Sequence, residues 1–285
     1  MAIIPSIFMN AVVALGIKLP NDEKHWIGTG FIVGRKEKNN LNLSTHYIIT
    51  NKHVVENQKE IYVRFNSLGK SLIKDYVINL FDKNRAPMFS AHWDDKTDII
   101  AIQIIPKTLI DDQSIWGSFD LEDNALTLEQ MKSTGVEEGT LIYALGFPMN
   151  LVDAIKVPIC RLGCVSRVMD AFVRQNEHPT FLVDATVFPG NSGGPIISRP
   201  EIVSIAGTAH NNSANLIGIL SSYISYEDTL VSQQTGKACM IQTENSGLTI
   251  VHPVDRIKEV VELEWKRCGG VETEIIGDAP TEKVG

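Results

Sequence analysis

From Asn10 to Pro253 the apolar residues come in short, β-branched runs broken by polar or glycine-rich stretches, and a sustained helical period starts only after Pro253. Such a chain cannot bury its apolar side chains with helices, so strands must do it. The runs are Asn10–Ile17, Trp26–Arg35, His46–Val55, Ile61–Phe65 and Tyr76–Phe81, followed by the continuous apolar segment after Asp98. Residues 106–138 are richer in Asp, Glu, Ser and Thr, with one helical turn expected near Leu126–Lys132. Strands resume at Gly139–Pro148, Lys156–Val168, Thr180–Phe188, Pro195–Ser198, Ser204–His210, Leu216–Ser225 and Ser246–Pro253. Beyond Pro253, residues Val254, Ile257, Val260, Val261 and Trp265 fall on one helical face, which predicts an amphipathic helix packed on the second block of strands with its charged face in solvent.

Two blocks of strands and one late helix predict an all-β fold of two antiparallel six-stranded β-barrels. The expected division is residues 1–115 and 139–253 for the barrels, 116–138 for their connection, 254–267 for the helix and 268–285 for a fraying tail. A chain of 285 residues is long enough to bury cores of that size. Its net charge of −8 argues against a nucleic-acid partner.

Pro5 and Asn10 interrupt the apolar N-terminus, which excludes a convincing membrane helix there. The first lysine is Lys18, so the stretch lacks a basic leader and reads as a first strand rather than a signal peptide. Cys160 and Cys164 would stand about 13 Å apart on a straight strand, at roughly 3.3 Å per residue, too far for a disulfide. With Cys239 and Cys268 they read as reduced thiols, and together these features predict a cytoplasmic protein. No metal pattern or cofactor motif is present.

The six residues Gly190–Pro195, GNSGGP, contain three glycines around Ser192. Glycine at that density serves a tight turn that approaches other atoms closely. A serine in such a turn exposes both its hydroxyl and its N–H, a nucleophile beside oxyanion donors. A plain glycine-rich hairpin turn is the alternative. A serine nucleophile needs a base, and the base an orienting carboxylate. Of seven histidines, His25, His92, His178 and His210 lie beside irregular stretches and read as solvated, His46 begins a strand and His252 precedes a proline. Taken singly, each reads as structural. His53 differs by ending a buried-looking strand, where a side chain can face a cleft. Asp98 directly precedes an apolar run and is expected at the buried mouth of a barrel, whereas Asp94 and Asp95 read as surface residues. The order is then His53, Asp98, Ser192, the order of the chymotrypsin barrels.

On these residues, and on the segments GTGFIVG, IITNKHVV, TDIIAIQI, EEGTLIYALGFP, VDATVFPGNSGGPI and GLTIVHPVDRIKEVV, the chain resembles a chymotrypsin-fold (trypsin-like) serine protease. Within that fold it is most similar to the bacterial high-temperature-requirement, or Deg, protease domain. The resemblance implies a serine endopeptidase with catalytic His53, Asp98 and Ser192 and an oxyanion hole of the Gly190 and Ser192 N–H groups. It also implies a primary pocket walled by Thr186, Phe188, Pro189, Ser221, Ser222 and Tyr223, with uncharged Thr186 at its base. A protein or peptide substrate is implied, with an activating protein partner as a possibility.

The departures are equally specific. The PDZ domains usual in the Deg family find no room in the 24 residues after Val261, and residue 191 is Asn rather than the Asp used for zymogen activation in trypsin itself. Alternative readings are a latent or non-catalytic module of the same fold that acts only with a partner protein, and an esterase on the same triad.

Overall fold

The computed structural model describes residues 4–37, 40–65, 75–151, 157–174, 177, 179–201, 211–269 and 276–277. The expected strand at 204–210 and the histidines at 178 and 210 lie outside the described residues.

The first half is a sheet of β1 (Val12–Lys18), β2 (Lys24–Glu37), β3 (Asn40–Thr50), β4 (Glu60–Arg64), β5 (Asp75–Asn79), β6 (Ser90–Ala91), β7 (Ile100–Ile104) and β8 (Phe119–Asp120). The second half contains β9 (Leu141–Gly146), β10 (Ile159–Arg167), β11 (Phe181–Asp184), β12 (Pro195–Ser198), β13 (Asn215–Val231) and β14 (Ala238–Pro253). After the C-terminal helix Val254–Cys268, a short β15 (Ile276–Gly277) returns to pair antiparallel with β5.

The second half closes as expected, a six-stranded barrel in the order β10-β11-β14-β13-β12-β9. The first half has the six expected principal strands, β1 to β5 and β7, joined by three two-residue strands. Its order is β15-β5-β4-β1-β2-β3-β7-β6, with β8 parallel to β2. No pairing between the two ends of that path closes it among the described residues. Two-residue strands β15 and β6 occupy those ends, a device that leaves little edge for further pairing. The fold is therefore chymotrypsin-like, with one closed barrel and one open, barrel-like sheet.

Alternation of side chains along the strands divides the apolar residues into three cores. Val13, Leu15, Ile32, Ile48, Val63 and Ile102 fill the first half. Ile142, Val165, Phe181, Val183, Ile196 and Val251 fill the second. The opposite faces of the same strands meet between the halves, where Phe31, Tyr47, Phe119, Phe147, Ile197 and Ile219 share a core with Val254, Ile257, Val260 and Val261.

The helix is where its period predicts, but its polar face is not simply solvated. Glu264 is fully buried and accepts hydrogen bonds from Ser90 Oγ (2.8 Å), the Gln103 N–H of β7 (3.2 Å) and Arg267. Arg35 of β2 pairs with Glu262 at 3.0 Å and stacks on Trp265. The helix thus straps the first-half sheet as well as the second barrel. A buried carboxylate needs such partners, and they come from strands remote in sequence.

Two further differences concern strand length. The stretch 36–45, between the expected strands Trp26–Arg35 and His46–Val55, is mostly strand itself, because β2 and β3 continue to Glu37 and Asn40. Beyond Tyr223, β13 and β14 extend as an exposed two-stranded ribbon up to the pair Val231 and Ala238.

Candidate active site

β3 and β7 are antiparallel neighbours with Thr50 opposite Ile100. Residues just after β3 and just before β7 therefore emerge at the same end of the sheet. His53 lies there, not on a strand end as expected but on the single helical turn Lys52–Val55. Asp98 lies there too, and its Oδ2 is 2.5 Å from His53 Nδ1. Its Oδ1 accepts the His53 N–H at 3.1 Å, so the carboxylate grips both the main chain and the ring. The imidazole is 47% exposed and the carboxylate 25%, which leaves the far edge of the ring accessible.

The Asp98 main chain is held on both sides. Asn51, fully buried, donates from Nδ2 to the Asp98 carbonyl at 2.7 Å. The Asp98 N–H donates to His252 Nε2 at 3.3 Å.

The Ser192 turn is built by close approach. Gly190 and Gly193 have φ of +99° and +83°, the left-handed region. A Cβ on Gly190 would lie 2.4 Å from the Phe147 carbonyl oxygen, and one on Gly193 would lie 2.1 Å from that of Thr29. The same position on Gly193 is 3.3 Å from Asn51 N, which places the serine turn against the turn that carries His53.

Thr29 is the pin between the halves, and sequence reasoning missed it. Its N–H donates to the Ser192 carbonyl (2.9 Å) and its hydroxyl to the Gly190 carbonyl (2.6 Å). That hydroxyl also accepts the Phe147 N–H (3.0 Å), while the Thr29 carbonyl accepts from Thr50 Oγ1 (2.8 Å). Gly28 and Gly30 on either side were the available signal, since two glycines around a threonine mark a strand that others approach closely.

Phe188 to Asn191 form a turn closed by the Asn191 N–H on the Phe188 carbonyl at 3.0 Å. Proline second and positive-φ glycine third are the composition of a type II turn. The Pro189 carbonyl accepts the Met149 N–H at 2.7 Å. In a trans peptide the next N–H points the opposite way, so Gly190 N–H faces away from Met149. Among the described residues neither Gly190 N–H nor Ser192 N–H has a protein acceptor. Gly190 is buried, and buried N–H groups are nearly always paired, so this pair is an open donor site.

Of the expected pocket residues, Ser221 is buried, whereas Thr186, Phe188, Pro189, Ser222 and Tyr223 are exposed. The serine turn is tied to β13 through Gly193 N–H to Leu220 carbonyl (3.0 Å) and Leu220 N–H to Gly194 carbonyl (2.9 Å). This places Ser221 to Tyr223 directly beyond the serine turn. Asn245 Nδ2 donates to the Val187 carbonyl at 2.7 Å, a further tie of β14 to the wall that leads into Phe188.

His92, read as solvated, is buried, with Nε2 2.7 Å from Glu259 Oε2 of the helix. His252 is 3% exposed, and desolvation lowers its pKa to about 4. Its place just before a proline gave no hint of this, because its burial comes from β14 packing under the Asp98 segment.

A closed barrel beside an open barrel-like sheet, with a histidine–aspartate pair on one half and a glycine-framed serine turn on the other, defines a chymotrypsin-fold protein of the serine-peptidase class. The chain belongs to the trypsin-like peptidase domain family, whose model matches residues 28–201, more than half of it. It is similar to a probable periplasmic serine endoprotease DegP-like of Halomonas elongata, 26% identical over 70% of this chain and 33% of the relative. The corresponding protein of a Marinomonas species is 23% identical over 91% of this chain and 46% of the relative. The serine endoprotease DegS of Haemophilus influenzae is 28% identical over 60% of this chain and 41% of the relative. The chain thus spans less than half the length of each of these relatives. Among solved structures, the apo MamO protease domain from Magnetospirillum magneticum is similar with a TM-score of 0.46 and 18% identity, over 88% of this chain and 96% of that one.

These names overturn the expectation of a cytoplasmic protein, because the DegP-like relatives are named periplasmic. That expectation rested on unpaired thiols and on an apolar first stretch. All four cysteines are indeed free, yet a free thiol does not assign a compartment. No helix of the described residues is long and apolar enough to cross a membrane.

Proposed function

We propose that the chain is a serine endopeptidase that hydrolyses peptide bonds through an acyl-enzyme on Ser192. The observation that carries this reading is the His53 Nδ1 to Asp98 Oδ2 contact of 2.5 Å, together with a serine turn packed on the turn of His53 whose Gly190 and Ser192 N–H groups have no protein acceptor among the described residues. Nδ1–H donates to Asp98, which leaves Nε2 unprotonated and able to take the Ser192 hydroxyl proton as the oxygen attacks a carbonyl carbon. The carbonyl electron pair moves to the oxygen, and the Gly190 and Ser192 N–H groups receive that oxyanion. His53, now an imidazolium beside Asp98, gives its proton to the departing amine as the carbon–nitrogen bond breaks. Water then attacks the ester with His53 again as base, which releases the acid and restores Ser192.

The walls expected around the primary pocket carry no charged side chain, since Thr186, Phe188, Pro189, Ser221, Ser222 and Tyr223 are neutral. A small or medium apolar residue before the scissile bond fits such walls better than Lys or Arg. A peptide-library digestion tests both points. The wild type should cleave after apolar residues, and Ser192→Ala should lose at least a thousandfold in rate. A dominant basic residue at that position overturns the pocket reading; undiminished turnover by a folded Ser192→Ala overturns the nucleophile.

A further inference from the structure

The second histidine at the site, His252, belongs to no part of the reaction described above. It is the next-to-last residue of β14, opposite Ile219 of β13 and directly before Pro253. Its ring is buried against the segment that carries Asp98. Nε2 receives the Asp98 N–H at 3.3 Å, and Nδ1 is buried with no hydrogen-bond partner among the described residues. A nitrogen that accepts has a free lone pair, so the ring is neutral with its proton on Nδ1. An alternative residue that only filled the space would not supply an acceptor to the main chain of the carboxylate residue.

We propose that His252 is a positioning residue, whose Nε2 fixes the Asp98 main chain so that the carboxylate meets His53. The proposal rests on the His53–Asp98–Ser192 reading for its effect on rate, but its geometry stands apart from it. Asp98 is then clamped at three points: its carbonyl by Asn51, its N–H by His252 and its carboxylate by the His53 turn. Removal of the middle clamp lets the short segment before β7 tilt. His53 then loses its orienting partner, while the β13–β14 backbone pairing that carries the expected pocket walls is kept.

Protonation of His252 would remove the acceptor and set an N–H against the Asp98 N–H. Burial is the main force against it. The neighbouring charges act in both directions: Asp98 and Asp94 favour the charged ring, whereas His92 and Arg256 oppose it. These come from the segment before β7 and from the first turn of the C-terminal helix, where Arg256 and His92 both contact Glu259. The facing strand β13 contributes Gly218 and Ile219, which carry no charge. The result is a pKa lowered to about 4, so the clamp holds through the neutral range and opens in acid.

Two measurements test this. The first needs no activity: nitrogen-15 NMR of the wild type over pH 3 to 8 reads the tautomer and titration of His252. The expected result is a neutral ring protonated on Nδ1 down to about pH 4 to 5, with loss of the His53 to Asp98 downfield proton as it charges. A His252 that titrates near 6.5, or carries its proton on Nε2, overturns the proposal whether or not the protein is a peptidase.

The second compares His252→Leu and His252→Gln on a peptide substrate. His252→Leu should lower kcat roughly tenfold, the worth of one hydrogen bond, with KM within about twofold because the lost bond is to the Asp98 main chain and the β13–β14 backbone pairing beneath the walls is kept. His252→Gln, which restores an acceptor that does not titrate, should recover most of kcat. Equal loss in both variants, or a loss carried by KM, points to packing alone and overturns the proposal. A wild type that gives the expected tautomer but no turnover would overturn the peptidase reading while the clamp stands.

Discussion

At the scale of single residues, the candidate site depends on main-chain groups held by side chains of the surrounding strands and turns. Thr29 satisfies the Gly190 and Ser192 carbonyls and the Phe147 N–H at once. Its replacement by Val keeps the shape and leaves the Gly190 carbonyl and the Phe147 N–H unpaired in a buried place, at a cost of about 1–3 kcal/mol. Urea denaturation of Thr29→Val should show that loss, and kcat should fall because the serine turn is freed on one side. Stability and kcat both equal to wild type would show that Thr29 is not the pin. The pH dependence of stability carries a second residue-scale expectation. His252 has a folded-state pKa near 4 against an ordinary 6.5, so the unfolded chain binds more protons between these values. Stability contributed by the neutral ring is whole above pH 6.5, falls as pH drops toward 4, and changes no further below. The melting temperature of His252→Leu should therefore decline less than that of the wild type across this window. Parallel curves would contradict the lowered pKa.

At the scale of elements, the sequence was readable where one period ran unbroken and silent where distant partners decided the outcome. The C-terminal helix was legible from Val254, Ile257, Val260 and Val261, all buried as their spacing predicts. Glu264 was not, because a glutamate on a helix normally faces water and its partners Ser90 and Gln103 lie in the first sheet. Glu264→Ala should destabilise the protein by about 1–3 kcal/mol, because the buried Gln103 N–H loses its acceptor. Urea denaturation measures it, and a change below about 0.5 kcal/mol would place the strap elsewhere. The ribbon beyond Tyr223 was half legible. Leu216–Ser225 and Ser246–Pro253 read as strands, but Tyr226 to Val231 is half polar and packs on no core, so no burial pattern announced it. His53 shows the same limit at short range: its β-branched neighbours Val54 and Val55 suit a strand, yet the chain turns after Thr50 and makes one helical turn.

At the scale of the whole molecule, both halves supply the candidate site and one core joins them. His53 and Asp98 come from the first sheet, Ser192, Gly190 and the expected pocket walls from the second barrel, and Thr29 reaches across. Phe31, Phe119, Phe147, Ile197 and the helix residues between the halves fix that relation. The order of His53, Asp98 and Ser192 and the glycines around the serine were visible in the sequence, because that chemistry needs particular residue types. The clamps on Asp98 were not, since Asn51 and His252 are ordinary residue types whose role depends on register. The most direct measurement is reaction of the folded protein with a fluorophosphonate, with the adduct mapped by mass spectrometry. Stoichiometric modification of Ser192, abolished in Ser192→Ala and strongly slowed in Asp98→Asn, is the predicted result. A folded protein that stays unmodified, or reacts at another residue, would contradict a competent serine, triad and oxyanion site.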